Sequence, residues 1–146
     1  MSVIHKIERW GDNHHPRLLD IIRIVLGVFL LLKGIAFMQN TSDLKYLIEN
    51  QSDIILPSGL LISVVYFAAF VHMVGGVLVA LGLYTRTASL MQIPIVFGAV
   101  FFINILLSPF NTELWASILC LVLLVIFAVI GSGKLSLDNF IEHLDN

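Results

Sequence analysis

The chain has 146 residues, of which 58% are hydrophobic and 12% charged, with a formal net charge of -2. A soluble domain carries about 25% charged residues, so this composition excludes an ordinary soluble fold and points to an integral membrane protein of one domain over 1-146. There is no basic patch to suggest nucleic acid, and the one cysteine, Cys120, excludes an internal disulfide.

In chain order, residues 1 to 17 form a polar leader in which Ile4, Ile7 and Trp10 fall at the spacing of a short interfacial helix. His14-His15 is not a metal motif, because adjacent residues on a helix face apart. No signal peptide is expected, since the first apolar run is too long and no small-residue cleavage site follows it. That run, Leu18 to Gln39, suffices to cross a bilayer, which takes about 20 mostly apolar residues. It contains Arg23 and Lys33, each of which costs roughly 2.5–3.5 kcal/mol at mid-membrane. Residues 40 to 59 are a polar loop in which Leu44, Leu47 and Ile48 predict a surface helix behind Ser42 and Asp43.

A second span is predicted over 60 to 83, a tight turn at Tyr84-Thr85-Arg86-Thr87, and a third span over 88 to 107 interrupted by Pro94. Ser108 to Asn111 is a turn. Thr112 caps a fourth span over 113 to 130, with Trp115 in the aromatic belt. Gly131-Ser132-Gly133 ends it. Leu137, Phe140, Ile141 and Leu144 share one face of a short C-terminal surface helix. The predicted fold is all-α: an integral membrane four-helix bundle with short interfacial helices in the first extracytoplasmic loop and at the C-terminus. Lys6, Arg9, Arg17, Arg86 and Lys134 lie on the side of both termini and Lys45 alone lies opposite, so both termini are expected in the cytoplasm.

On the first helix Arg23, Gly27 and Gly34 fall within about 40° of one another, and Asp20 stands one turn before Arg23, at pairing distance. On the second helix His72 lies among Ala68, Ala69, Gly76 and Ala80, with Gly75 flanking. Small residues of this kind let membrane helices approach closely. The expected depth order is Arg23 toward the cytoplasm, His72 at the centre and Lys33 toward the outside. Glu113 is the expected partner of Lys33, and Asn104 lies at similar depth. Intramembrane ionisable groups mark candidate sites. Arg23, Lys33, His72, Asn104 and Glu113 are thus the candidate ligand-binding residues, and Asp20, Gly27, Gly34, Gly75, Gly76 and Arg86 the structural ones. Two cations favour an anionic or carbonyl-bearing head group. An apolar wall with one histidine suits a quinone, whose reduction needs a proton donor near each carbonyl.

Four stretches in order resemble the DoxX family of small four-helix membrane proteins: RIVLGVFLLLKGIAF at 23–37, HMVGGVLVALGLYTR at 72–86, the helix start at Glu113, and GSGKLSLD at 131–138. The resemblance implies that Arg23, His72, Arg86 and Glu113 occupy motif positions, with His72 where the family often has an acidic residue. It also implies several functions: subunits of a thiosulfate:quinone oxidoreductase, members of membrane complexes that handle oxidative stress, or non-catalytic cargo receptors and assembly chaperones. The leading expectation is an accessory subunit of a redox system in the bacterial inner membrane, binding a quinone-like or small anionic ligand, with a protein partner or a second copy. No haem, flavin or iron–sulfur motif is present, so electrons would come from a partner. The alternatives are a non-enzymatic partner-binding module with its glycine face exposed, and a small transporter.

Overall fold

A computed structural model describes residues 17–43, 46, 57–101, 112–133 and 135–144, with the backbone alone at 58, 61, 112, 113, 142 and 143. The predicted leader helix, the His14-His15 pair, the Leu44, Leu47 and Ile48 positions of the predicted loop helix and the 108–111 turn lie outside these residues. Among the described residues the helices are, in order, α1 Arg17–Gln39, α2 Ser58–Leu81, α3 Thr85–Gly98, α4 Thr112–Ile130 and α5 Leu137–Leu144. There is no strand among the described residues.

Among the described residues two stretches, Arg17–Gln39 and Ile62–Leu81, are long and apolar enough to cross a membrane. The apolar part of α4, Leu114–Ile130, is shorter. α3 runs through Pro94 without a break and widens into a π turn at residues 99–101, where the described part of the predicted third span ends.

The surface is inverted relative to a water-soluble protein. Leu18, Ile21, Val25 and Leu32 on α1 and Val64, Phe67, Phe70 and Val77 on α2 face outward, while Asp20, Arg23, His72, Thr85, Ser89 and Gln92 are buried. In water that arrangement would leave apolar area unburied and polar groups desolvated. Against lipid it is the favoured one, because hydrocarbon solvates the outer face and only the interior offers hydrogen-bond partners.

Glycine sets the spacing of α1 and α2. A Cβ on Gly27 would sit 2.6 Å from the Gly76 carbonyl oxygen and 2.7 Å from Ala80 Cα, and one on Gly34 would sit 2.8 Å from both Ala69 O and Met73 N. The two backbones therefore touch, and dispersion contacts replace the hydrophobic driving force that lipid does not supply. α3 lies along α4 and beside α2, and α4 meets α1 over a shorter stretch. Between them Leu26, Leu30, Val79, Ala88, Val96, Val100, Cys120, Leu124 and Phe127 form an apolar core.

The α2–α3 connection is tighter than predicted. α2 ends at Gly82, left-handed at φ 71°, with Leu83 N–H bonded to Leu78 O at 2.9 Å and Gly82 N–H to Val79 O at 3.2 Å. This is a Schellman end, which only glycine adopts without strain. Tyr84 is also left-handed (φ 47°) and donates its N–H to Asp138 Oδ1 at 3.1 Å. The turn is thus 82–84, and Thr85, Arg86 and Thr87 belong to α3 rather than to the turn. The contact is long-range: Asp138, fifty-four residues away in sequence, takes the Tyr84 amide at the start of α3.

At the chain's other end Ser136 caps α5. Its Oγ accepts the Asn139 N–H at 3.2 Å and donates to Gly133 O at 2.7 Å. An eight-residue helix is too short to persist alone. Ser136→Ala is expected to cost about 1 kcal/mol, and amide hydrogen exchange of residues 137–144 would accelerate while α1 and α2 stay protected.

Candidate functional site

Buried polar groups form two sets. The first is at the end of the molecule where α1 begins and α2 ends. Arg23 has no exposed surface; its Nη1 lies 3.3 Å from Asp20 Oδ1 and its Nη2 donates to Leu135 O at 2.7 Å. Leu135 N–H in turn donates to Asp20 Oδ2 at 3.3 Å. The acid and base one turn apart on α1 thus grip both polar atoms of one peptide residue. A Cβ on Gly82 would meet Arg23 Cζ at 2.9 Å, so the glycine also makes room for the guanidinium. Asp138 N–H closes the set on Gly82 O at 3.2 Å. The predicted Asp20–Arg23 pair is present, but what it faces is the chain's own 131–138 segment.

Arg86 has a related place. Its Nη2 donates to Ile130 O at 3.3 Å, and its side chain fills the space beside Gly131 (φ 90°). It thereby satisfies a carbonyl at the end of α4, one of the four that every helix leaves open.

The second set lies deeper, between α2 and α3. His72 Nδ1 hydrogen-bonds Gln92 Oε1, and the His72 ring lies 5.7 Å from the Phe37 ring, tilted by 37°. Gln92, Ser89 and Thr85 fall at i, i-3 and i-7 along α3 and are all buried. Among the described residues Gln92 Nε2, Ser89 Oγ and Thr85 Oγ1 have no hydrogen-bond partner, nor does Arg23 Nε. Gly75 faces this stripe: a Cβ there would fall 2.5 Å from Gln92 Nε2. Gly75 therefore keeps open the space that the amide fills.

Of the other expected ligand-binding residues, Lys33 is half-buried, with Nζ 5.7 Å from the Phe29 ring centre. Gly34 packs between Ala69 and Met73 and Gly27 between Gly76 and Ala80, which sets Lys33 level with His72 and not outside it. Asn104 and the Glu113 side chain lie outside the described residues, and with them the expected Lys33–Glu113 pair. The glycines predicted as structural, Gly27, Gly34, Gly75 and Gly76, are all buried in contacts with the chain's own helices.

Sequence reasoning missed Thr85, Ser89 and Gln92. A signal was there: Thr85, Ser89 and Gln92 stand at i, i+4 and i+7, which places them on one helix face. Among the described residues no three His, Cys, Asp or Glu lie together as a metal site would require. Chemically, the second set offers an imidazole, an amide donor and two hydroxyls along an apolar wall, suited to a carbonyl-bearing head group or to water.

No curated protein matches the chain. No solved structure matches it. The family model DoxX matches residues 18–105, which takes in α1, α2, the described part of α3 and both polar sets apart from their 131–138 partners.

Proposed function

The chain belongs to the DoxX family, and on that premise we propose that it is a four-span bundle of the bacterial inner membrane, with cytoplasmic termini, acting as an accessory subunit of a membrane redox system. The ligand in this reading is quinone-like and sits against His72 and Gln92. The observation that carries it is the Gln92 amide nitrogen, a buried donor with no partner among the described residues, beside a buried imidazole. A carbonyl oxygen is the acceptor that such a donor lacks. Leaving it unmade costs about 1–3 kcal/mol. A bound quinone would take two electrons from a partner protein and two protons from the site. Within the chain, Gln92 would orient the carbonyl, His72 would hold a proton near it, and Phe37 would shield the imidazole. Lys33, level with His72, would add positive charge near a reduced head group, and Glu113 and Asn104 remain candidates for the outer rim. Arg23 is engaged with Leu135 and Asp20, so its part is to hold the fold.

The partner-binding alternative rested on an exposed glycine face. Gly75, Gly76 and Gly82 are buried between the chain's own elements, which leaves a second helix no access to them.

The test is quinone analysis of the full chain extracted into native lipid discs. Near-stoichiometric quinone is expected, falling at least tenfold in His72→Ala and Gln92→Leu, with Gly75→Ala lowering it by displacing the amide. A preparation carrying a stoichiometric protein partner and no quinone would sink the ligand reading in favour of the binding module.

A further inference from the structure

We propose that the cleft between the end of α2 and the 135–140 segment holds one phospholipid with a primary-amine head group, a phosphatidylethanolamine, whose acyl chain runs along the outer face of α2. The cleft is a cavity of about 590 Å³, inside the range of about 300–1,000 Å³ that small-molecule sites occupy. Leu81, Leu135, Leu137 and Phe140 wall it, and Ser136 and Asn139 supply the polar part of its lining. All four wall residues are large, apolar and exposed. The chain itself fixes the two walls relative to each other. The Asp138 carboxylate accepts the Tyr84 N–H while its own N–H donates to Gly82 O, and Leu135 is gripped by Arg23 and Asp20. The cleft is thus preformed, which spares an occupant the cost of ordering it.

Continuity with the lipid-facing surface identifies the occupant. Phe67, Phe70, Val74, Val77 and Leu81 are exposed at i, i+3, i+7, i+10 and i+14 along α2, which is one face of the helix. That stripe is about 21 Å long at 1.5 Å per residue, against about 15 Å for half of the hydrocarbon core. It runs into the cleft at Leu81, so a lipid seated there lays its chain against α2 through the full depth of its leaflet. α5 forms the opposite wall. Leu137, Phe140, Ile141 and Leu144 are exposed on one face of this eight-residue helix, the pattern of a helix lying at the boundary between head groups and acyl chains. Ser136 and Asn139 among apolar walls suit the ester level of a lipid, where its polar and apolar parts meet. Charge selects the head group. From Gly131 onward the chain carries Asp138, Glu142 and Asp145 against Lys134, a balance that disfavours an anionic head group and favours a cation. A primary ammonium also donates hydrogen bonds to carboxylates, and these charge-assisted bonds are the strong ones; a quaternary amine has no N–H to give.

The lipid site is separate from the His72–Gln92 set and does not rest on the quinone reading. The experiment is native mass spectrometry of the full chain, stripped of lipid in detergent and titrated with phosphatidylethanolamine, phosphatidylglycerol or phosphatidylcholine of identical chains. One phosphatidylethanolamine per chain is expected, held at least tenfold more tightly than phosphatidylglycerol. Leu81→Ser/Phe140→Ser, which changes two exposed wall residues, should weaken it at least tenfold. Leu90→Ser, exposed on α3 and outside the cleft, should leave it unchanged. Asp138→Asn keeps an acceptor for the Tyr84 N–H and should narrow the preference over phosphatidylglycerol at least threefold. The head-group comparison needs no variant, so it decides even if the double variant fails to fold. Equal retention of the three lipids, or undiminished binding in the double variant, means a general lipid coat and overturns the proposal. So does a lipid-free dimer, which would make the cleft an interface between two copies.

Discussion

Arg23→Leu is expected to remove about 3–5 kcal/mol of stability, the usual cost of breaking a buried ion pair from one side. Total stabilities are about 5–15 kcal/mol, so the variant should melt far below the parent in detergent, or fail to accumulate. Three losses combine. Asp20, itself fully buried, loses its guanidinium partner; Leu135 O loses its donor at 2.7 Å; and the space beside Gly82 empties. Lysine does not rescue, because one ammonium cannot span Asp20 and Leu135 as the planar guanidinium does. Asp20→Asn should be milder, since the amide oxygen can still accept Leu135 N–H. The double variant Asp20→Leu/Arg23→Leu should recover part of the loss, because it leaves no unpaired charge. Thermal melts of all four, with hydrogen exchange over 135–144, would check this. If Arg23→Leu melts with the parent, the guanidinium is not what fastens the C-terminal segment.

Gly27→Leu is expected to cost more than about 3 kcal/mol, beyond the common range for overpacking. The reason is that the obstacles are backbone. A Cβ at 27 meets Gly76 O at 2.6 Å and Ala80 Cα at 2.7 Å, where carbon contacts favour about 3.5–4.0 Å. No rotamer change relieves that, so α1 and α2 must separate along the stretch where they pack. Gly34→Ala should cost less, because one of its three close neighbours is the flexible Met73 side chain. Gly59 and Gly98 have nothing within 4 Å of a built Cβ. Alanine there should be neutral or stabilise by up to about 1 kcal/mol through helix propensity. Thermal melts of the series separate close approach from any general intolerance of glycine replacement: a Gly59→Ala loss equal to that of Gly27→Leu would refute the contact argument.

Much of this was legible in the chain. Hydropathy is a sum over a local window, so α1 and α2 could be found without knowing their neighbours. Periodicity placed Arg23, Gly27 and Gly34 on one face of α1 and His72 beside Gly76 on α2; the structure buries all five and packs the two α1 glycines against Ala69, Met73, Gly76 and Ala80. The Asp20–Arg23 pair follows from i, i+3 geometry alone. Gly131-Ser132-Gly133 read as a helix stop and the following tail as a short helix; Gly131 and Gly133 have positive φ, and a helix capped by Ser136 follows at Leu137–Leu144.

Partners were another matter. Arg23 reaches a backbone carbonyl 112 residues away, and a carbonyl has no residue identity for a sequence to display. Tyr84 is held by Asp138, so where α3 starts depends on a side chain from the far end of the chain. Lys33 stands level with His72 because Gly27 and Gly34 lock the register of α1 on α2, and Gln92 finds His72 because Gly75 lets α3 pack closely on α2. Sequence alone determined which segments prefer lipid and which residues share a face, because both are properties of one helix. The tertiary structure decided what each buried polar group meets, because that depends on register and turn geometry between helices, fixed by contacts far apart in the chain.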